Sequence, residues 1–293
     1  MISFLAAFLA TPVVLQDEVF ELDAQTQAFL SQLNFEEGTV QLSTGEAEFT
    51  LPEGWAFLQS EGARRVVEEY WGNPEDTSTL GFIDPPSNAG RLQSSWGIIV
   101  SAEFEGYISD EDAGGLDFDE IMRDEKKTDG EANEWRVENG FEPIETVGWA
   151  EQPHYDATTN KLYWAKELRF GDAPENTLNY DVRILGRRGA LVLTAVAGMS
   201  DFAEVQEGMK LALDNTSFLE GHRYSDFDSS LDKVAAYGIG GLVAGKLAAK
   251  VGLLAVIGKF AKVIVLGIVG ALVAAKKFLL GKKTAEPETA PEA

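Results

Sequence analysis

The sequence predicts an α+β domain, an antiparallel β-sheet meander with helices packed on it, followed by a C-terminal membrane helical segment. Three observations support this prediction. Four strand-like segments between residues 144 and 198 are joined by short loops. Amphipathic helical patterns precede and follow them. After residue 233 the composition changes abruptly to Gly, Ala, Val and Leu interrupted by lysines.

The N-terminus carries an apolar segment, residues 1–15, that looks like a signal peptide. Residues 2–15 contain no charged side chain, although no basic residue precedes them and no small-x-small cleavage site follows. The alternative is an ordinary N-terminal core element. We expect residues 1–15 to direct export and residues 16–232 to form an acidic extracytoplasmic domain.

The first half of this domain alternates between helix and strand patterns. Residues 16–32 are loosely helical, and residues 39–51 alternate around Gly45, which predicts a hairpin. A helix is predicted to begin at Ser60 and to end before Pro74, with an apolar stripe in the core. That stripe is Ala63, Val66, Val67, Tyr70 and Trp71.

Two elements lead into the meander. Residues 96–104 alternate between apolar and small or polar side chains, as in a half-buried strand. A helix then begins near Phe118 and is almost wholly polar until Trp135.

The meander is the best-defined region. Residues 146–155, 161–170, 177–185 and 190–197 are predicted strands, and their connections are too short for anything but antiparallel neighbours. Residues 190–197 are apolar on both faces, which predicts a central strand. Residues 201–213 form an amphipathic helix that we expect to cover the sheet, with the helices on one face.

Charge divides the chain into two parts. Residues 1–233 carry 16 basic and 45 acidic side chains, whereas residues 234–293 carry 8 lysines and 3 glutamates. So acidic a domain repels phosphate backbones, which argues against nucleic-acid binding. It would attract cations or basic partners, and the alternative is solubility in a salty habitat. No cysteine is present, so disulfides and thiolate chemistry are excluded.

Lysines divide the predicted anchor, residues 233–283, into short apolar runs. A spanning helix needs about 20 apolar residues, and a lysine at the bilayer centre costs about 2.5–3.5 kcal/mol. The span with the lowest free-energy cost of insertion is therefore residues 263–275. Lysines on both sides of it can reach the two membrane surfaces. We expect the lipid bilayer to be contacted through residues 234–280 and residues 284–293 to be a disordered tail.

Small residues recur four positions apart in this segment. Such rows let helices approach closely, which favours a homo-oligomer or a helical hairpin. The alternative is that Gly and Ala are simply common in membrane helices. The rows are Gly241, Gly245 and Ala249, then Gly267, Ala271 and Ala275.

The signal-like N-terminus decides the expected orientation, because four lysines stand on each side of residues 263–275. We expect the protein in the bacterial cytoplasmic (inner) membrane, with the acidic domain outside and the tail in the cytoplasm. The rival is a hairpin in which residues 234–258 also span, which would bury Lys246 and Lys250.

Few residues suggest chemistry. Glu151, Glu167 and Asp181, with Arg183, share the meander, where paired carboxylates could do acid–base work. Cross-strand ion pairs are the commoner use of such residues. A glycine-rich stretch beginning at Gly238 lacks the third glycine and the preceding strand of a dinucleotide-binding fingerprint.

Metal binding has little support in the sequence. The two histidines, His154 and His222, could hold zinc only together with carboxylates. An acidic run could hold a hard cation, although a helix N-terminus explains the same acids through its dipole. That run is Asp110, Glu111, Asp112, Asp117, Asp119 and Glu120. We assign no catalytic, cofactor-binding or metal-binding residue and expect no cofactor.

Several short motifs resemble those of DUF2167, a family of bacterial membrane-anchored proteins of unknown function. The resemblance covers roughly residues 49–283. It implies an envelope protein with a C-terminal anchor and supplies no activity. The motifs are Tyr70-Trp71-Gly72-Asn73-Pro74, Val147-Gly148-Trp149-Ala150-Glu151 and residues 161–168, 178–183, 195–199, 221–227 and 232–240. The order of strands and helices also resembles the PsbP/Mog1-like fold.

Two functions from different classes fit these observations. The first is a non-catalytic envelope module that binds or scaffolds an unknown protein partner. The alternative is a membrane-tethered hydrolase that uses carboxylates. A channel-like role for the Gly/Ala/Lys segment is a third reading. A deep pocket with converging acids would favour the enzyme, and an exposed apolar or charged face would favour the module.

Overall fold

The structure, a computed structural model, describes residues 24–244. Its strands are β1 (Thr39–Gln41), β2 (Ala47–Thr50), β3 (Ala56–Gln59), β4 (Thr79–Asp84), β5 (Gly97–Glu103), β6 (Ile144–Asp156), β7 (Lys161–Phe170), β8 (Thr177–Gly186), β9 (Gly189–Gly198) and β10 (Thr216–Phe218). Its α-helices are α1 (Ala24–Leu30), α2 (Ser60–Arg64), α3 (Phe118–Glu138) and α4 (Phe202–Asp214). A π-helical stretch, Arg65–Tyr70, continues α2, and residues 239–244 are helical.

Seven strands form one antiparallel sheet in the order β3-β4-β5-β9-β8-β7-β6. The predicted meander is confirmed, because β6, β7, β8 and β9 pair antiparallel in succession. The α+β class is confirmed with it. β9 lies in the middle of the sheet, between β5 and β8. Its apolar residues on both faces predict this central position.

No sequence pattern predicts β3 and β4, which extend the sheet beyond β5. Gly81 interrupts β4, and a Cβ atom there would lie 2.2 Å from Cζ of Phe57 in β3. At the start of β5, a Cβ atom on Gly97 would lie 2.3 Å from Cζ of Phe82. The glycines leave space for aromatic rings of the neighbouring strand, so their role depends on pairing that the local sequence does not reveal.

Helices cover both faces of the large sheet, so the prediction of helices on one face is wrong. Face one, which carries Tyr180 and Val182, packs against α4 and a small antiparallel sheet, β1-β2-β10. Face two, which carries Trp164, packs against α2 beside β4 and α3 beside β6. Because the central strands are apolar on both sides, burial requires a layer on each.

The predicted helix at Ser60 is confirmed, but only part of its apolar stripe is core. Ala63, Val66 and Val67 are buried, whereas Tyr70 is 38% exposed. The helix changes from α to π geometry at Arg65, which turns the following side chains around the axis and away from the α-helical stripe.

Of the predicted helical segment at residues 16–32, α1 covers Ala24–Leu30, and residues 16–23 lie outside the described part. Three further predicted elements are present. β1 pairs with β2 around Gly45, which adopts a φ of +75°. Asp117 caps α3 by accepting a hydrogen bond from the Glu120 amide at 2.9 Å. α4 buries the apolar side of its predicted amphipathic pattern against face one.

The two ends of the large sheet carry different structures. At the root end, Gly186 and Gly189 flank the turn from β8 to β9. At the cleft end, β5 begins at Gly97 and β9 ends at Gly198. After β10 the chain returns to the root end, where Val234 forms a parallel bridge with Tyr107. The contacts of the domain therefore continue past residue 232.

Residues 233–244 of the predicted anchor are described, and Ile239, Leu242 and Val243 among them are buried in the domain. The other predicted export and membrane segments lie outside the described residues. They are residues 1–15, the span at residues 263–275 and the tail at residues 284–293. Between residues 24 and 244, no helix has the length and apolar composition needed to cross a bilayer.

Candidate functional site

The carboxylates of the meander do not converge. Glu151 lies on face one, where it accepts a hydrogen bond from Gln206 Nε2 of α4 at 2.8 Å. Glu167 has the same strand parity and accepts from Asn176 Nδ2 at 2.6 Å. Asp181 projects from face two, because alternate residues of a strand face opposite sides. The three acids therefore cannot act together on one substrate atom.

Asp181 belongs to a buried ion-pair network instead. Arg183 Nη1 lies 2.9 Å from Asp181 Oδ1, and Thr194 Oγ1 donates to the same oxygen at 2.7 Å. The guanidinium carbon of Arg183 lies 4.6 Å from the centre of the Trp164 ring, in cation–π geometry. Arg183 Nε is 3.5 Å from Glu103 Oε1. Arg183 thus lies between two carboxylates, and pairing of this kind is the structural use of such a set.

Asn179 is a buried polar group of this region whose side-chain amide stays wholly unsatisfied. Its side chain is 1% exposed, and neither Nδ2 nor Oδ1 has a hydrogen-bond partner among the described residues. Lys166, its cross-strand neighbour, forms an ion pair with Glu125 of α3. A buried amide without hydrogen bonds lowers the free energy of unfolding by about 1–3 kcal/mol. Face two therefore carries polar side chains between its apolar clusters at a cost in stability.

The two histidines serve separate local contacts. The His154 ring stacks on Tyr163 with centroids 4.8 Å apart, and its Nδ1 lies 3.6 Å from Glu151 Oε1. The carbonyl oxygen of His222 accepts a hydrogen bond from the Arg187 amide at 2.9 Å. Across residues 24–244, no group of three or more His, Asp or Glu side chains has the geometry to hold a metal ion.

Three acidic residues of the run at residues 110–120 make separate contacts. Asp110 accepts a hydrogen bond from Tyr155 Oη at 3.0 Å. Asp112 accepts from the amides of Ile239 and Gly240 at 2.8 and 3.0 Å and so caps the helix at residues 239–244. Asp117 caps α3, as described above. The glycine-rich stretch at Gly238 is thus part of a capped helix start.

An open cleft of about 470 Å³ lies beside α4 at the cleft end of the sheet. Its volume is in the range of small-ligand and side-chain pockets. Pro86 and Leu211 form its exposed apolar surface beside the buried Trp55 and Trp96, and acidic residues of α4 form its rim. The lining residues are Trp55, Pro85, Pro86, Trp96, Glu204, Glu207, Gly208, Lys210, Leu211 and Asp214.

Close packing fixes the two tryptophans of this cleft. Trp55 and Trp96 precede β3 and β5 and meet edge to face, with ring centroids 5.8 Å apart. Trp96 Nε1 donates to Glu204 Oε1 at 3.0 Å. A Cβ atom at Gly208 would lie 2.3 Å from Cη2 of Trp96. α4 therefore needs glycine at this position, because the indole lies directly against the helix.

A buried carboxylate holds the loop that carries the other side of the cleft, residues 85–96. Asp84 accepts hydrogen bonds from the Leu92 amide at 3.2 and 3.3 Å, and Arg91 Nη1 lies 3.6 Å from it. Leu92 has a φ of +57°, a strained value for a branched side chain. Burial raises the pKa of Asp84 to about 6, and the Leu92 amide and Arg91 oppose this rise.

Sequence reasoning missed the cleft. It treats Trp55 and Trp96 as parts of strands and assigns no role to Glu204 or Glu207. Two signals mark the region in the chain, the Pro85-Pro86 pair and a glycine within an amphipathic helix at Gly208. Neither identifies a site alone, because the lining comes from segments more than 100 residues apart.

The sequence matches the model of a family described as "Protein of unknown function (DUF2167)" over residues 34–273. The match confirms the resemblance drawn from the motifs above. No curated protein matches the chain.

Solved structures with a similar arrangement include cyanobacterial PsbP (CyanoP) from Synechocystis. It is 11% identical, with a TM-score of 0.36, and the alignment covers 62% of this chain and 91% of that one. Another is the Ran-binding protein Mog1p from Saccharomyces cerevisiae, at 12% identity and a TM-score of 0.33, covering 67% of this chain and 100% of that one. The fold assignment above rests on the described strands and helices themselves.

Proposed function

The chain belongs to the DUF2167 family, and we propose that it is a membrane-anchored envelope protein that binds a basic protein segment in the Trp55–Trp96 cleft. The cleft is the observation that carries this proposal. It is open, it combines an apolar floor with an acidic rim, and it lies apart from the internally paired carboxylates.

The chemistry of the cleft fits lysine or arginine side chains. Their aliphatic stems can lie on Pro86, Leu211 and the tryptophans while the charged heads reach Glu207 and the other rim acids. Glu204, Glu207 and Asp214 stand against Lys210, so the rim carries net negative charge. The acidic domain around it would steer a cationic partner towards the cleft.

Anchoring and orientation complete the proposal. Residues 245–280 of the predicted anchor hold the protein in the cytoplasmic membrane, because Ile239, Leu242 and Val243 are buried in the domain. The domain lies outside, and the tail lies in the cytoplasm. The sequence supports this through the signal-like residues 1–15 and the lysine-flanked span at residues 263–275. Small-residue rows would allow a homo-oligomer of anchors. Retention of the full chain in membranes after a carbonate wash checks the anchoring.

The binding experiment uses the purified full chain in detergent micelles. The probe is a fluorescent synthetic peptide of alternating lysine and proline, and its counterpart has glutamate in place of lysine. We expect the lysine peptide alone to bind. Glu207→Lys reverses one exposed rim charge and should weaken binding about fivefold, which corresponds to roughly 1 kcal/mol for an exposed charge contact.

Glu131→Lys is the matched control, since it makes the same charge change at an exposed position of α3 away from the cleft. It should leave the affinity nearly unchanged. Equal weakening by both variants would show that net charge, rather than the cleft, attracts the peptide. Binding of both peptides with similar affinity would also contradict the proposal.

A further inference from the structure

We propose that the root end of the domain rests on the lipid headgroup layer through a root patch, Tyr107, Phe227, Leu231 and Val234. The inference rests on the proposed membrane anchoring and adds which surface of the domain touches lipid. It assigns the bilayer as the occupant of an apolar surface that packing within the domain leaves open.

The root patch contains unusually exposed apolar side chains. Leu231 is 77% exposed, more than any other large apolar residue of the described chain, and Val234 is 53% exposed. Both lie in one loop just ahead of the helix at residues 239–244. Together they form a small apolar surface that packing within the domain leaves open.

Fixed backbone geometry holds Leu231 outward. The Leu231 amide donates to the Asp228 carbonyl at 3.0 Å, which closes a turn. Asp232 Oδ2 accepts from the Asp228 amide and from Arg187 Nε, each at 2.8 Å. The turn is therefore tied to the β8–β9 connection. Leu231 projects from a loop that these hydrogen bonds hold in place, so its exposure follows from the fold.

Two aromatic residues of the root patch belong to a stack of three rings. The Tyr107 ring lies 3.9 Å from Phe227 and 4.6 Å from Tyr224, measured between centroids, at interplanar angles of 18° and 20°. Tyr224 Oη donates to the Ile108 carbonyl at 3.0 Å. Tyrosine is enriched at membrane–water interfaces because its ring is apolar and its hydroxyl is polar.

The path of the chain and its charges point to the same occupant. The Tyr107 amide donates to the Lys233 carbonyl at 2.8 Å, and the Ala235 amide donates to the Tyr107 carbonyl at 2.7 Å. The helix at residues 239–244 follows, and its Ile239, Leu242 and Val243 are buried in one cluster with Leu185 and Ala190 of the root end. The described chain therefore reaches its last residues at this end, ahead of the segment predicted to enter the bilayer. Arg187 neutralises Asp232 here, which lessens repulsion from anionic lipids.

The test uses the full chain with one introduced cysteine, since the natural chain has none. Val234→Cys places an environment-sensitive dye in the patch. Val137→Cys is the matched control, a valine that is 58% exposed at the end of α3. It lies at the cleft end, one ten-residue strand or about 30 Å away. Both proteins are reconstituted in phosphatidylcholine–phosphatidylglycerol vesicles that contain nitroxide-labelled headgroups.

We expect quenching at Val234→Cys at least about three times that at Val137→Cys, because only the first dye would reach the interface. Adding Leu231→Ser should reduce the quenching at Val234→Cys by about half, with an unchanged circular dichroism spectrum. Equal quenching at both sites in protein that floats with the vesicles would overturn the root patch while leaving the anchoring intact. Protein that does not float would overturn the anchoring and this inference with it.

Discussion

The root end and the cleft end of the large sheet are held together by different kinds of contact. At the root end, backbone hydrogen bonds join distant segments, such as the Gly106 amide to the Arg188 carbonyl at 3.0 Å and the bridge between Tyr107 and Val234. At the cleft end, side chains hold the loop at residues 85–96. Asp84 accepts from the Leu92 amide, and Arg91 donates to the Gly54 carbonyl at 2.7 Å. Backbone bonds do not titrate, whereas the carboxylate does.

This difference suits the proposed roles of the two ends. A surface from which an anchor leaves the domain needs a fixed geometry under all conditions. A loop beside a binding cleft can rely on charged side chains and a strained residue, because its displacement costs less. We therefore expect substitutions at the root end to destabilise the domain more than comparable substitutions at the cleft end.

Gly106→Ala should have the largest effect. Gly106 has a φ of +137°, and a Cβ atom would lie 2.8 Å from the Ala235 nitrogen and the Lys233 oxygen. Alanine must therefore break the contact between Tyr107 and residues 233–235. We expect the free energy of unfolding to fall by about 2–4 kcal/mol, measured by urea unfolding of the full chain in detergent with tryptophan fluorescence.

Gly90→Ala is its counterpart in the cleft loop. Gly90 has a φ of +109°, but a Cβ atom would meet nothing within 4 Å. Only backbone strain opposes the change, so the expected loss is about 1 kcal/mol. Equal losses of unfolding free energy in Gly106→Ala and Gly90→Ala would contradict the expected difference in stability between the two ends.

Asp84→Asn should change how stability depends on pH. A buried acid with a raised pKa contributes stability that is fully present below its unfolded pKa of 3.8 and is lost as pH rises through about 6. The stability of the natural chain relative to Asp84→Asn should therefore fall by about 2 kcal/mol between pH 4 and pH 7. Urea unfolding of both proteins at each pH measures this.

A pH-independent difference would show that Asp84 does not titrate in this range. The root end offers a control, because Arg187 and Ser230 hold the pKa values of Asp232 and Asp228 below the ordinary value. Those two groups stay ionised over the same interval. Asp232→Asn should therefore produce no comparable change between pH 4 and pH 7.

Asp112→Ala should have a small effect that remains local. It removes the cap of the helix at residues 239–244, whose loss should cost about 1 kcal/mol. Hydrogen exchange at the Ile239 and Gly240 amides should then accelerate about fivefold. Asp119→Ala, at an exposed position in the first turn of α3, should leave both amides unchanged. Unchanged exchange in Asp112→Ala would mean that other contacts hold this helix.

Local patterns were sufficient where neighbours in space are neighbours in the chain. β6, β7 and β8 each pair with the next strand through a short turn, so alternation and loop length predict both strands and direction. β3 and β4 could not be predicted in this way. β3 is only four residues long, and Gly81 weakens the local pattern of β4. Only the Phe57 ring on the adjacent strand explains this glycine.

The sequence by itself determined the α+β class, the antiparallel meander, the central place of β9 and the family. These follow from periodicity, turn length and motifs, which are local properties of the chain. Only the tertiary structure decided that helices cover both faces, that Glu151 and Asp181 lie on opposite sides, and that Trp96 meets Gly208 in a cleft. Each depends on contacts between residues far apart in the chain, where the packing of side chains and not the local pattern sets the distance.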